Sequence, residues 1–577
     1  MYTMYNARIL ALLISSTFIV QGCSPQKVAM DSETKVEQIV KEKQLSDLDS
    51  VKAGQHEHLP HTQNNLAQTF EIAAPTKAVN RLSKRSQQSQ NSMVAAQAPS
   101  LYYPPQQYYS QESYNPAAEQ SFISTENDSL STFSIDVDTA SYANIRRFLQ
   151  SGQKVPVGAV RIEEMLNYFQ YDYPVPENAP VAISAELGPC LWNPGHKIAM
   201  IGLKAKEIPA QDLPPSNLVF LIDVSGSMNH PQKLPLVKQS LKMLSKELKT
   251  GDRISIVVYA GSNRIVLPPT QGDQKDKIIS AIDQLRSGGS THGSAAILKA
   301  YELAHQNYFS GGNNRIILAS DGDFNVGVTS SGELTKLVEE ERKKGIFLTV
   351  LGFGNGNYKD DTMEMLADKG NGNYSYIDSL LEAKKVLVKE RLSTLYALAK
   401  DVKLQVEFNP ALVGAYRLIG YDNRILADED FTNDTKDAGE IGVGHTVTAL
   451  YELIPPGSPD LPDVPQLKYK KNISKKNKTE ETLTVSLRYK EPSGSKSKLL
   501  SKNLINSHHN VQQTSSAFRF SSAVAWFGMH LQQSQYLKKP DFTEVVNIAR
   551  KSKGNDENGL RAEFIKLVET AELLHNS

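Results

Sequence analysis

The chain has 577 residues, enough for two to four domains at roughly 100 to 200 residues each. Its 63 Lys and Arg residues are balanced by 63 Asp and Glu residues, so no overall charge attracts nucleic acid or an anionic membrane surface. With only two cysteines, Cys23 and Cys190, the sequence excludes a disulfide framework and a cysteine-based metal site.

Residues 1–22 have the pattern of an export signal. The apolar segment at residues 9–20 suits a signal h-region and is too short to span a bilayer. It ends in VQGC, which resembles a bacterial lipobox, so we predict cleavage before Cys23 and lipidation of that cysteine. Ser24 follows, which by resemblance to Gram-negative lipoproteins indicates the outer membrane, with the protein facing the periplasm. The alternative is an ordinary secretory signal with an incidental cysteine.

Residues 23–121 are predicted to be a disordered tether. Gln, Ser, Asn, Pro and Lys dominate this region, and it lacks the apolar periodicity of a packed element. Its histidines, His56, His58 and His61, have the spacing to bind a transition metal, but solvated histidines in a tether are the simpler interpretation.

Residues 122–215 are predicted to form an N-terminal flanking domain. STFSIDVDTASYANIRRFLQSG indicates a strand, a turn and a helix, and RIEEMLNYFQYDYP indicates a second helix with one apolar face. VAISAEL and KIAMIGLKAKEI alternate in polarity, which is typical of antiparallel strands.

Residues 216–396 alternate between apolar strands and amphipathic helices, which predicts a doubly wound, mostly parallel α/β sheet. The predicted strands are Asn217–Asp223, Arg253–Tyr259, Arg315–Ser320, Phe347–Gly352 and Tyr374–Ile377, with an antiparallel edge strand at Arg264–Leu267. The predicted helices are Leu234–Leu248, Lys275–Leu285, Ala295–Asn307, Leu334–Lys344, Asp361–Asp368 and Leu380–Ala397.

Oxygen-bearing side chains follow the strands of this sheet. Asp223, Ser225 and Ser227 follow the first strand in FLIDVSGSM, Thr291 lies in SGGSTHGS, and Asp321 follows RIILAS. Ligands bind beyond the carboxyl ends of such strands, and hard oxygen donors suit Mg²⁺, or Mn²⁺ and Ca²⁺ with adjustment. Because only two of the five groups are charged and the others are neutral oxygen donors, we expect a bound ion to keep an exchangeable water, whose place a carboxylate from another molecule could take.

This set resembles the metal-ion-dependent adhesion site of von Willebrand factor type A domains, on motifs and element order over about residues 216–396. The resemblance implies a metal-dependent adhesion module that binds a protein partner supplying an acidic residue. The positions that match the family's ligands are Asp223, Ser225, Ser227, Thr291 and Asp321.

Residues 397–577 are predicted to form a C-terminal flanking domain of antiparallel strands followed by helices. Together with the N-terminal flank, this region resembles bacterial von Willebrand type A lipoproteins that carry an extra domain on each side. That resemblance implies no established enzymatic activity. We predict that the two flanks pack together into one β-rich module, with the A domain inserted between them.

A metal-dependent phosphatase or hydrolase is the alternative function. FSIDVDTA places Asp136 and Asp138 close to the nucleophile loop of haloacid-dehalogenase-like phosphatases, although Ala140 stands where Thr or Val is expected. The Asp223 site itself is the other candidate for hydrolysis. The simpler interpretation is that Asp136 and Asp138 cap the helix that begins near Ala140.

Overall fold

A computed structural model describes residues 112–576 except 116–117, 136, 261, 290–293, 323–330, 357, 464–478 and 538–540. The predicted signal peptide, Cys23, most of the predicted tether, Asp136 and Thr291 lie outside the described residues. None of the helices in the described part of the chain is long and apolar enough to cross a membrane.

The central region has the predicted strand–helix alternation. Its strands are β5 (Ser216–Asp223), β6 (Arg253–Ala260), β7 (Ser262–Gln271), β8 (Asn313–Ser320), β9 (Ile346–Phe353) and β10 (Tyr374–Ile377). In order β10-β9-β8-β5-β6-β7 they form one sheet whose pairs are parallel, except that β6 and β7 are antiparallel. The helices are α3 (Leu234–Lys246), α4 (Lys275–Asp283), α5 (Ser294–Gln306), α6 (Ser331–Lys343), α7 (Asp360–Lys369), α8 (Leu380–Lys384) and α9 (Arg391–Leu395).

Alternate residues of the central strands point to opposite faces of this sheet, and helices cover both faces. Leu218 and Phe220 on β5 pack against α3 and α4, whereas Val219 and Leu221 pack against α5 and α6. The predicted doubly wound, mostly parallel α/β fold is therefore confirmed.

One predicted helix in this region, Leu380–Ala397, is wrong. It is divided into α8, a π-helical turn at Lys385–Lys389, and α9, after which the chain enters a strand at Ala397. The break coincides with an ion pair, at 2.9 Å, between the buried Lys385 and the partly buried Glu390. Apolar periodicity does not report such a contact.

The two flanks, which precede and follow the central region in sequence, together supply two further sheets. The N-terminal flank supplies β1 (Ile123–Ser124), β2 (Leu130–Ser134), α1 (Ala140–Gln150), α2 (Ile162–Asn167), β3 (Val181–Pro189) and β4 (Lys197–Ala205). The C-terminal flank supplies β11 (Ala397–Phe408), β12 (Ala415–Ile419), β13 (Gly439–Gly442), β14 (Thr446–Ile454), β15 (Glu481–Lys490), β16 (Lys498–Ile505), α10 (Ser516–Leu531), α11 (Phe542–Ser552) and α12 (Leu560–Asn576).

Strand pairing across the flanks confirms that they form one β-rich module. The first sheet has the order β1-β12-β14-β4-β3, and the second has the order β13-β11-β15-β16 with β2 also paired to β11. Ile201 on β4 and Leu404 on β11 belong to the same apolar core, so the two sheets pack face to face. Met200 and Leu450 belong to a second core with α2 and the C-terminal helices, which cover the other face of the first sheet.

Ordered contacts begin before the boundary predicted at residue 121. Glu112 pairs with Arg147 at 2.8 Å, and the Ser113 amide donates to the Tyr358 carbonyl at 3.0 Å. Glu119 pairs with Arg417 on β12 at 2.8 Å. These polar residues contribute edge hydrogen bonds and ion pairs rather than apolar core, which is why composition alone assigned them to the tether.

Candidate functional site

Two of the predicted ligands, Asp223 and Asp321, lie at one edge of the central sheet. Asp223 is the last residue of β5, and Asp321 directly follows β8, the strand paired in parallel with β5. Both carboxylates are fully buried. The sequence therefore placed both acids correctly beyond the carboxyl ends of neighbouring strands.

The loop after β5 brings the two serines to the same place. The Ser225 amide donates to Asp223 Oδ1 at 2.8 Å, and the Ser225 and Ser227 hydroxyl oxygens are 3.0 Å apart. The Gly226 amide also donates to the Gly289 carbonyl at 3.1 Å, which holds the segment approaching Thr291 against this loop. Thr291 itself lies outside the described residues, so its place among the ligands stays a prediction.

The electrostatics of the site favour a bound cation. Burial, with a smaller contribution from the nearby charge of Asp321, raises the pKa of the Asp223 carboxyl to about 6. Asp223 Oδ2 is buried and has no hydrogen bond of normal geometry to the described residues, although the Tyr259 hydroxyl lies close enough to this carboxyl to lower its pKa. A buried carboxylate oxygen without a well-formed hydrogen bond is costly, and a cation is a partner that would satisfy it.

The donor set fits a hard divalent ion. Two carboxylates and two hydroxyls provide only oxygen ligands, which Mg²⁺ prefers and zinc does not. Within the described residues, no group of three or more His, Cys, Asp or Glu side chains is placed to hold a metal. A site built on two acids and hydroxyls is of a different kind from such clusters, and the fit rests on Asp223, Asp321 and the two serines.

A lysine that sequence reasoning missed also belongs to this site. Lys233, the residue before α3, is buried and donates from Nζ to Asp321 Oδ2 at 2.8 Å. Its position just before an amphipathic helix is typical of a solvated residue, and no sequence feature distinguishes it from the exposed lysines nearby.

The alternative catalytic pair is not supported by the surroundings of Asp138. Its Oδ1 accepts from the Tyr374 amide at 2.7 Å, and its Oδ2 lies 3.4 Å from the Arg424 guanidinium. Asp138 thus connects the N-terminal flank to β10 and to the C-terminal flank. Asp136 lies outside the described residues.

The contacts of Asp138 differ from the predicted capping role, because its Oδ1 accepts from the Tyr374 amide on β10. No side chain at the N-cap of α1 makes a capping hydrogen bond, and its first turn contains no acidic residue. Instead, Glu164 from α2 accepts from the Ser141 amide at 2.7 Å. A cap supplied from a second helix cannot be read from local spacing.

Comparison with protein families divides the chain into three matched regions. Residues 217–389 match the description "von Willebrand factor type A domain", and residues 108–200 match "von Willebrand factor". Residues 393–574 match "Uncharacterized protein YfbK, C-terminal".

Among curated relatives, "Uncharacterized protein YfbK" of Escherichia coli (strain K12) is 44% identical over 451 residues, covering 77% of this chain and 78% of the relative. Inter-alpha-trypsin inhibitor heavy chain H1 of Sus scrofa is 28% identical over 197 residues, covering 33% of this chain and 22% of the relative. The first similarity therefore extends over the A domain and both flanks, whereas the second is confined to a part of the chain.

Solved structures also resemble the chain. A von Willebrand factor type A protein from Catenulispora acidiphila gives a TM-score of 0.39 at 14% identity, covering 67% of this chain and 89% of that one. The ArnB paralog VWA2 from Sulfolobus acidocaldarius gives a TM-score of 0.35 at 18% identity, covering 69% and 98%.

Proposed function

Since the chain belongs to the YfbK family of von Willebrand factor type A proteins, we propose that it is a metal-dependent adhesion module. In this proposal, Asp223, Ser225, Ser227, Thr291 and Asp321 hold Mg²⁺, or Mn²⁺ or Ca²⁺ in its place. The bound cation supplies an open coordination position for a carboxylate of a partner protein.

The single observation that supports the proposal most is the buried, unsatisfied Oδ2 of Asp223. It faces a sheet edge where Asp321 adds a second buried carboxylate and Ser225 and Ser227 add two hydroxyls. In a purely structural cluster we would expect a donor as well placed on Oδ2 as the Ser225 amide is on Oδ1.

We propose no enzymatic activity for this site. Hydrolysis at a metal requires a general base beside the attacking water. At the predicted cation site, Asp223 and Asp321 would be ligands of the ion and so would not serve as the base. Lys233 is paired with Asp321. Asp138, from the alternative pair, is bonded to Tyr374 and Arg424.

The partner is expected to bind only the metal-loaded protein. Envelope proteins captured by the full-length protein in Mg²⁺, and quantified by mass spectrometry, should be lost with EDTA and with Asp223→Ala. Loss is expected because the partner carboxylate would have no cation to bind. Asp276→Ala, which removes an exposed acid from the first turn of α4, is the matched control and should retain the partner. A partner that survives both EDTA and Asp223→Ala would contradict the proposal.

We also propose that Cys23 carries a lipid anchor in the outer membrane, facing the periplasm. The support is the h-region followed by VQGC in the sequence. Several acyl chains on one residue would give stable attachment, which a single chain does not.

Replacing Cys23 should abolish the mature, membrane-anchored form of the protein. Cys23→Ser removes the thiol that would be acylated, so the protein should appear as a soluble periplasmic form or an uncleaved precursor. Membrane fractionation with immunoblotting measures both location and size, and Cys190→Ser, at a buried cysteine, is the control that leaves the anchor intact. Membrane-bound Cys23→Ser protein of mature size would refute the anchor.

A further inference from the structure

We propose that Lys233 is a built-in competitor of the divalent cation, so that metal binding is an exchange of the Lys233 ammonium for the ion at Asp321. This inference rests on the proposed function of the Asp223 site. It identifies the residue that sets the affinity of the site for metal.

The ion pair between Lys233 and Asp321 is buried and direct. Lys233 Nζ lies 2.8 Å from Asp321 Oδ2, Lys233 is 6% exposed, and Asp321 is 0% exposed. A lysine ordinarily keeps its ammonium in water, because burying a charge is costly unless it is paired. The burial of this ammonium is therefore compensated by Asp321.

The path of the lysine side chain is shaped by a glycine. Gly354 follows β9 and has a φ of +73°, a conformation that residues with a side chain rarely adopt. A Cβ on Gly354 would overlap Cγ and Cε of Lys233. The Tyr376 hydroxyl donates to the Gly354 carbonyl at 2.5 Å and fixes this backbone in place. The lysine chain thus lies in a channel that only glycine at position 354 leaves open.

Charge balance explains why the ammonium and the ion compete. With Asp223 and Asp321 both ionised, one divalent cation neutralises the pair of carboxylates. Keeping the Lys233 ammonium beside that ion leaves one excess positive charge in a buried site, where like charges repel strongly. The ammonium also occupies Asp321 Oδ2, which reduces the electron density and the space that this carboxylate offers to the ion, so we expect the ion to displace the ammonium.

Removing the ammonium should tighten metal binding. Lys233→Met keeps an unbranched chain of similar length against Gly354 but removes the charge. We expect Mg²⁺, titrated by calorimetry into the EDTA-treated full-length protein, to bind this variant at least about tenfold more tightly than the parent. Without Mg²⁺ the variant should melt at a lower temperature than the parent, because Asp321 loses its buried ion pair with Lys233. The rise in melting temperature on adding Mg²⁺ should be larger for the variant than for the parent.

Controls separate this inference from the proposed function. Lys246→Met removes an exposed lysine from the last turn of α3 and should leave the affinity for Mg²⁺ unchanged. Lys233→Gln keeps a hydrogen-bond donor without the charge and is measured if Lys233→Met fails to fold; it should also bind more tightly. If the parent binds Mg²⁺ and both Lys233 variants bind it with the same or lower affinity, the role of Lys233 as a competitor is refuted, while the proposed function stands. If neither the parent nor the variants bind Mg²⁺ or Mn²⁺, the proposed function fails with it.

Discussion

Magnesium is expected to raise the melting temperature of the protein, and Asp223→Ala is expected to abolish that rise. An ion that binds only the folded state stabilises it by about 2.7 kcal/mol at a hundredfold excess over Kd. For a domain of the size of the A domain, this free energy corresponds to a rise in melting temperature of roughly 5–10 °C. Differential scanning calorimetry with EDTA and with Mg²⁺ measures the shift.

The melting temperature of Asp223→Ala without metal is a second quantity to measure. The substitution removes the hydrogen bond from the Ser225 amide, at a cost of about 1 kcal/mol, and also removes a buried charge beside Asp321. These effects oppose each other, so the melting temperature in EDTA should change little or rise. Asp276→Ala, at an exposed acid of the same domain, should show the full magnesium shift. An equal shift in parent and Asp223→Ala would mean that the ion binds elsewhere and that the cluster is not its site.

The central sheet could be predicted from sequence because its strands are buried on both faces. Residues 216–223 are all buried, and an uninterrupted apolar run ending in an acid is a strong signal of such a strand. The same argument put Asp223 and Asp321 on one edge, since parallel neighbours end together. These parts of the fold and site depend on local patterns and a general topological rule.

The features that the sequence did not predict depend on long-range contacts. Lys233 reaches Asp321 across 88 residues, and Glu164 caps α1 from a different helix. The π-helical turn after α8 lies beside Glu382, whose carboxylate pairs with Arg146 from the N-terminal flank. Periodicity and spacing report neighbours within a few residues, so partners from distant elements stayed hidden.

Arg146 provides a test of how strongly the A domain is joined to its flanks. It lies on α1, is buried, and pairs with Asp378 at 2.6 Å and Glu382 at 2.8 Å in the A domain. It also pairs with Glu563 on α12 at 3.0 Å and donates to the Tyr168 hydroxyl at 2.8 Å. One guanidinium therefore connects the A domain to both flanking regions.

Arg146→Ala is expected to destabilise the folded protein by about 3–5 kcal/mol, because it leaves the buried carboxylates of Asp378 and Glu382 without their shared cation. Chemical denaturation measures this loss of unfolding free energy. Arg550→Ala is the matched control: its ion pair with Glu569 is exposed, so the loss should stay below about 1 kcal/mol.

If both substitutions lower the unfolding free energy equally little, water must reach the Arg146 site and screen its carboxylates. The flanks would then not be held to the A domain by this residue. A large loss for Arg146→Ala alone would show that this buried contact, rather than the chain connection alone, couples the stability of the A domain to that of its flanks.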